Sequence, residues 1–127
     1  MDIATHQRID QRLCGTPLQV EEGFSRVALR TSEEMSADAS GLVHGGFIFG
    51  LADYAAMIAV NHPHVVLGAA DVAFLKPVAV GETVTAEAKA GSPSGKKRPV
   101  QVTVFRGDAE VFKGTFTCFV LDRHVLA

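Results

Sequence analysis

The stretch Gly45 to Val60, GGFIFGLADYAAMIAV, constrains the fold of this chain more than any other part of it. Its apolar residues run nearly all round a 3.6-residue turn, and a helix apolar on so much of its circumference must be buried on most sides. It carries one carboxylate, Asp53, and one hydroxyl, Tyr54. With 127 residues and 47% hydrophobic composition, the chain can bury one sizeable core and is too short to expect two. One domain over residues 1–127 must therefore be organised around this helix.

The residues left to cover it read as strands. Residues 65–78, 82–90, 99–107 and 109–122 are rich in β-branched and aromatic side chains with stretches of two-residue period. Val80-Gly81-Glu82, Gly91-Ser92-Pro93-Ser94-Gly95 and Arg106-Gly107-Asp108 punctuate them as turns. Upstream, Leu18 to Leu29 alternates around Gly23, as one bent strand or two short ones, and residues 31–41 form a polar loop. Within residues 1–16, Ile9 and Leu13 stand at i, i+4 in a short surface helix over 4–13, with Thr5 as the candidate cap. Gly15 and Pro17 end it. The class is α+β, a mainly antiparallel sheet wrapped around one long helix, with residues 18–121 as its core. That arrangement is the hot-dog fold.

Charge and cysteine usage narrow the function. A net charge of −2 gives no global basic field to draw nucleic acid. The N-terminus is polar and amphipathic, and no window approaches the roughly 18 uninterrupted apolar residues of a membrane span, so neither leader nor membrane is expected and the location defaults to cytoplasmic. Cys14 and Cys118, far apart and in apolar surroundings, read as free buried thiols rather than a disulfide. His62 and His64 flank Pro63 without a third ligand, so no metal site is expected.

The chemistry concentrates at the head of the helix. Gly45 and Gly46 have no Cβ and lie where first-turn amides lack intrahelical partners; they either ease the turn into the helix or present amides to a carbonyl oxygen that becomes an oxyanion. Asp53 is a poor helix-interior residue among Phe49, Gly50, Ala56 and Met57. It either points into solvent or pairs with a base such as Lys76 or Arg26, or serves as general base or nucleophile toward a carbonyl. Eight residues from 45 to 53 span about 12 Å of helix, so one carbonyl cannot meet both groups of one copy. If they share a substrate, they come from two antiparallel helices at a homodimer interface, with two equivalent sites.

The pattern Gly41-x-x-His44-Gly45-Gly46-x-x-x-x-Leu51-Ala52-Asp53, followed by Val72-Ala73-Phe74-Leu75-Lys76-Pro77-Val78-x-x-Gly81, resembles the hot-dog acyl-CoA thioesterases. It is most similar to the phenylacetic-acid-degradation subgroup, near the 4-hydroxybenzoyl-CoA thioesterases. The resemblance implies an oxyanion amide at Gly45, a catalytic carboxylate at Asp53 from the opposite subunit, and a histidine at His44 that shapes the thioester pocket. A loop-to-helix hydrogen bond is the other reading of His44. No cofactor beyond the coenzyme A of the acyl- or aryl-CoA substrate is implied, and pairing of dimers into tetramers is common in the family. Two departures stand out: Asp38 occupies a position where many relatives carry Asn, and the turn Tyr54-Ala55-Ala56-Met57 lacks the Thr or Ser that holds a water, leaving only the Tyr54 hydroxyl as a stand-in. The run Lys96-Lys97-Arg98 is either solvated hairpin charge or a contact for coenzyme A phosphate. Phe47, Phe49, Phe74 and Met57 either fill core or line an acyl pocket. Without turnover, the same features would describe an acyl-CoA-binding or sensing module.

Overall fold

A computed structural model describes all residues, Met1–Ala127. After a single turn of helix, α1 (Gln11–Cys14), come β1 (Thr16–Glu21), β2 (Phe24–Arg30), a 3-10 turn (Glu33–Met35), α2 (Gly45–Val60), β3 (Val65–Phe74), β4 (Thr83–Ala90), β5 (Lys97–Arg106) and β6 (Ala109–Val120). The strands form one six-stranded sheet in the order β1-β2-β4-β5-β6-β3, antiparallel at every junction. The sheet wraps α2, as expected for the hot-dog fold.

Alternation along the strands explains the wrapping. Val27 and Leu29 of β2, Val84, Ala86 and Ala88 of β4, Val100, Val102 and Val104 of β5, and Phe112, Phe116 and Cys118 of β6 are all buried against the helix. On α2 the buried small residues Ala52, Ala55, Ala56 and Ala59 let it sit close to the sheet, while Leu51, Met57 and Ile58 fill the gaps. Burying each of these larger side chains contributes about 1.5–3 kcal/mol. The buried Ser25 donates its hydroxyl to the Ala55 carbonyl at 2.6 Å, so its polarity is satisfied inside the core.

The helix expected over residues 4–13 is confined to Gln11–Cys14, and Asp10 rather than Thr5 caps it, accepting from the Arg12 amide. Thr5 is buried and its hydroxyl pairs with His6 Nδ1 at 2.8 Å. Residues 2–9 are held instead by contacts with α2. Asn61, in the left-handed conformation that ends α2, accepts from the Ala4 amide at 2.7 Å and donates to the Asp2 carbonyl at 2.8 Å. Ile3, Ile9 and Leu13 pack on the core. The residues around Gly23 form two strands joined by a tight turn, with Gly23 at φ 75°. The loop at 31–41 is less polar in structure than in sequence, since Met35 is fully buried. The third strand ends at Phe74 rather than Val78, where the Leu75 and Lys76 amides both turn to the Val111 carbonyl, at 2.8 and 3.2 Å, and the ladder register is lost.

The two sheet edges differ. On β1, Pro17, a register shift between Pro17 and Gln19, and Glu21 blunt the edge. On β3, a shift between Leu67 and Ala69 precedes a regular, exposed and mostly apolar run from Ala69 to Phe74. No helix is long and apolar enough to cross a membrane.

Candidate active site

The loop before α2 fixes the head of the helix. The His44 amide donates to the Met35 carbonyl at 2.8 Å and the Val43 amide to the Val78 carbonyl at 2.9 Å. His44 therefore takes the extended N-cap conformation (φ −61°, ψ 130°), and its Nδ1 accepts from the Gly46 amide at 2.8 Å. An accepting Nδ1 leaves the ring proton on Nε2. The Phe47 amide returns to the His44 carbonyl at 3.0 Å. Of the first-turn donors, the Gly45 amide alone among these three has no acceptor, and it stands at the positive end of a 16-residue helix. Gly46, expected to offer its amide to substrate, is already occupied by His44. A Cβ at position 46 would come within 2.8 Å of the imidazole, so the cap requires glycine there.

Beside Gly45 opens an apolar cleft of about 240 Å³, lined by Leu42, Val43, Ile48, Phe74, Val78 and Val111 among others. Phe74 stands at its mouth, 56% exposed, with its ring edge-on to Phe112 and its Cε1 3.1 Å from where a Cβ on Gly45 would lie. Across Leu42, Pro77 and Val78 the cleft continues into an open polar groove of about 450 Å³ that includes Ser40, Glu82 and Arg106. Asp38 shapes this wall: its Oδ1 accepts from the Ser40 amide at 3.0 Å and the Leu42 amide at 3.2 Å. Asparagine could accept the same two bonds.

Asp53 lies further along the least covered side of α2, in line with Gly46 and Gly50. Its Oδ1 is buried and has no hydrogen-bond partner. Loss of hydration pushes the carboxyl up from its ordinary 3.8 to about 6. No salt bridge reaches it: Arg26 pairs with Glu87 at 3.1 Å, and Lys76 has no ion pair. The pairing reading therefore fails. A buried, unpaired carboxylate of this kind is the costly arrangement that active sites keep for chemistry.

The remaining candidates divide. Tyr54 is buried beneath the N-terminal segment, its ring 6.5 Å from that of His6, and therefore cannot stand in for the missing water-holding hydroxyl. Met57 is core, and Phe49 packs edge-on to Phe112 and tilted against Phe116, whereas Phe47 meets the His44 ring edge-on. Lys96, Lys97 and Arg98 lie at the other end of α2, around a cavity of about 280 Å³ that also includes Asn61 and His62. Lys96 pairs with Asp122, and Arg98 Nε donates to the Gly91 carbonyl at 2.6 Å, while Lys97 makes no ion pair. No group of three or more His, Cys, Asp or Glu side chains is gathered as a metal site, and both cysteines are free. The sequence reading missed Leu42 and Val111 in the cleft and Arg106 in the groove, which come from separate segments with no shared motif, and it assigned Val78 no place in the cleft.

A sequence profile of the thioesterase superfamily matches residues 40–113. Among curated proteins, the chain is 54% identical over 123 residues to the methylthioribose-1-phosphate isomerase of Aquifex aeolicus, covering 96% of this chain and 27% of that protein. It is 30% identical over 113 residues to the transcription factor FapR of a Thermoanaerobacter species, covering 88% and 56%. The chain thus spans about a quarter to a half of the length of these curated relatives. A solved structure of an uncharacterized protein from Pyrococcus horikoshii superposes with a TM-score of 0.98 at 50% identity, covering 100% of this chain and 98% of the other. A variant of the phenylacetic acid degradation protein PaaI from Thermus thermophilus gives 0.78 at 28%, covering 86% and 95%. A Streptococcus mutans protein bound to acetyl CoA gives 0.81 at 25%, covering 93% and 97%.

Proposed function

The chain belongs to the thioesterase superfamily, and from that premise we propose that it hydrolyses an acyl- or aryl-coenzyme A thioester to the free acid and coenzyme A. One observation carries the reading: a free amide at Gly45, opening on an apolar cleft, accompanies an unpartnered carboxylate at Asp53 on the same helix. The two are about 12 Å apart along α2, so they serve one carbonyl only across a dimer. The exposed, regular β3 edge offers the means, since antiparallel pairing of two such edges extends the sheet and lays the open sides of two α2 helices together. Gly46 and Gly50 allow the close approach.

In this scheme the acyl or aryl group enters the cleft lined by Phe74, with its carbonyl oxygen on the Gly45 amide. Asp53 of the partner subunit either removes a proton from an attacking water or attacks the carbonyl carbon itself, and in the second case water then cleaves the resulting anhydride. Either way the C–S bond breaks, the sulfur leaves as thiolate and takes up a proton, and the oxyanion collapses to the acid. His44, with its proton on Nε2, orders the helix start beside the cleft and so holds the Gly45 amide in place. Asp38 holds the loop that closes the cleft, and Lys96, Lys97 and Arg98 are available to coenzyme A phosphates. No metal enters the scheme, and the reading includes pairing of dimers into tetramers and action in the cytoplasm.

A binding or sensing module is the second reading, favoured by the similarity to the transcription factor FapR and by the acetyl CoA held by the Streptococcus mutans structure. Thiol release from a panel of short-chain, long-chain and aromatic acyl-CoAs separates the two. Hydrolysis by the native dimer with a loss of about a hundredfold or more in Asp53→Ala supports the enzyme. Binding without thiol release by either protein would leave the module.

A further inference from the structure

We propose that the acyl group of the substrate ends in a carboxylate, on a chain of about six to eight carbons, and that Arg106 holds it: the apolar cleft takes the chain and the polar groove beyond it receives the charge. This rests on reading the cleft as the acyl site of a coenzyme A thioester.

The groove is built around an arginine whose charge is only partly answered. Arg106, at the end of β5, has a side chain 32% exposed. Its Nη1 donates to the Pro77 carbonyl at 2.6 Å and stands 3.5 Å from Glu82 Oε1. That Glu82 oxygen already accepts from the Ala79 amide at 2.7 Å, so the close acceptor of the guanidinium is a neutral carbonyl and its ion pair is a long one. Nε and Nη2 together form an edge that can bind a carboxylate through two parallel bonds, and neither meets an acceptor in the chain. Lys76 on the cleft rim has no ion pair. Lys76 and Arg106 therefore face Glu82 alone among the charged residues of the two joined hollows. Asp38 spends its Oδ1 on the Ser40 and Leu42 amides and does not line the groove.

The route from the reacting carbonyl to this arginine is apolar first and charged last. Gly45, Ile48 and Phe74 line the cleft, Leu42, Pro77 and Val78 belong to both hollows, and Arg106 lies only in the groove. Leu42 stands three residues before Gly45, which at about 3.6 Å per residue or less puts the crossing within about 11 Å of the oxyanion amide. About eight C–C bonds of roughly 1.5 Å, laid in zigzag, cover most of that distance, whereas a three-carbon acyl group stops inside the cleft. The crossing is rigid. The Val43 amide donates to the Val78 carbonyl at 2.9 Å and the Val80 amide to the Gly41 carbonyl at 2.8 Å. Behind them the buried Thr31 hydroxyl donates to the Glu82 carbonyl at 2.7 Å and accepts from the Gly81 amide at 3.0 Å. The carboxylate thus meets its arginine at a fixed place, with little ordering left to be done on binding. A chain of the same length ending in a methyl group would leave its tip in a polar groove and lose apolar contact.

Two matched thioethers test this without turnover: S-(7-carboxyheptyl)-coenzyme A and S-octyl-coenzyme A, each titrated calorimetrically. The native protein should bind the carboxylated probe at least tenfold more tightly, as expected for charge-assisted bonds to a half-buried guanidinium. Arg106→Gln should weaken that probe at least tenfold and S-octyl-coenzyme A less than threefold. Arg106→Lys, which keeps the charge without the fork, should fall between. S-(2-carboxyethyl)-coenzyme A, too short to arrive, should bind the native and Arg106→Gln proteins alike. Equal or tighter binding of S-octyl-coenzyme A by the native protein would overturn the proposal, as would a carboxylate preference that survives Arg106→Gln or an equal loss with the short probe. Equal weakening of both long probes by Arg106→Gln would overturn it too, because an arginine that merely supports the wall behaves that way. If neither long probe binds, the acyl-coenzyme A reading falls and takes the proposal with it. A carboxylate preference with no thiol release from suberoyl-coenzyme A or any other thioester would sustain the carboxylate site and sink the hydrolase reading alone.

Discussion

Replacing Gly45 by proline deletes the one amide on which the oxyanion assignment rests, at a position unusually able to accept the change. Gly45 is the first helical residue, where proline is favoured because that amide has no intrahelical partner. The preceding residue must be extended, and His44 already is, at ψ 130°. The added ring atoms meet the Phe74 side chain, whose Cε1 lies 3.1 Å from an ideal Cβ, and Phe74 is 56% exposed and free to turn aside. Stability should therefore change by less than about 1 kcal/mol, the loss of unfolded-chain entropy offsetting the displaced ring. Removing one oxyanion donor costs about 2.7–4 kcal/mol in the transition state, or roughly 10²–10³ in kcat, with KM little altered because the ground-state carbonyl gains less from that bond. The assay is thiol release under saturating acyl-CoA, with thermal unfolding and light scattering to show a folded dimer. Gly45→Ala, which keeps the amide, is the comparison and should lose less than tenfold. A folded dimeric Gly45→Pro protein retaining kcat within a few-fold of native would refute the assignment.

Because burial holds the Asp53 carboxyl at about 6, kcat/KM should rise with pH through that value, and Asp53→Asn should abolish the activity itself. The same shift reverses the usual acid sensitivity. Between about 4 and 6 the folded protein binds the proton that the unfolded chain has lost, so Asp53 destabilises the native state increasingly as pH rises through this window. Asp53→Asn should match the native protein in stability below about pH 4 and exceed it by about 1–3 kcal/mol at pH 8, measured by urea unfolding at each pH. His44→Ala should lose about 0.5–2 kcal/mol with the cap, whereas His44→Asn should recover most of it, read from urea midpoints. Ala70→Lys, a charge on the open β3 edge, should yield a monomer by light scattering and lose thiol release, and an active monomer would remove the shared site. Leu51→Ala should cost about 2–5 kcal/mol by the same unfolding measurement, as a cavity beneath the centre of the helix.

The sequence disclosed those features that repeat along the chain or violate its local chemistry. Strand alternation and a helix apolar almost all round determined the architecture, and Asp53 was conspicuous because its neighbours were not polar. The N-terminal segment misled for a physical reason: Ile9 and Leu13 have helical spacing, but the backbone of Asp2 and Ala4 is bound by Asn61, some 57 residues away in sequence. No local pattern registers that contact. His44 was legible as either a pocket residue or a hydrogen-bonding residue, and the bond to the Gly46 amide made one of two adjacent glycines unavailable. Of the apolar cleft only Phe74 was legible, because Leu42, Ile48 and Val111 converge on it from separate segments, each an ordinary apolar residue in its own stretch.

The eight-residue interval between Gly45 and Asp53 has a kinetic consequence. If the Gly45 amide and the Asp53 carboxylate serve one thioester across a dimer, no dissociated copy contains a complete site, and both sites vanish together when a dimer separates. On that reading, well below the dissociation constant turnover per unit volume would fall with the square of chain concentration, so that tenfold dilution would reduce it about a hundredfold. Expression level would then regulate flux more steeply than in proportion, and a substrate that bridges two copies would promote its own hydrolysis by drawing them together.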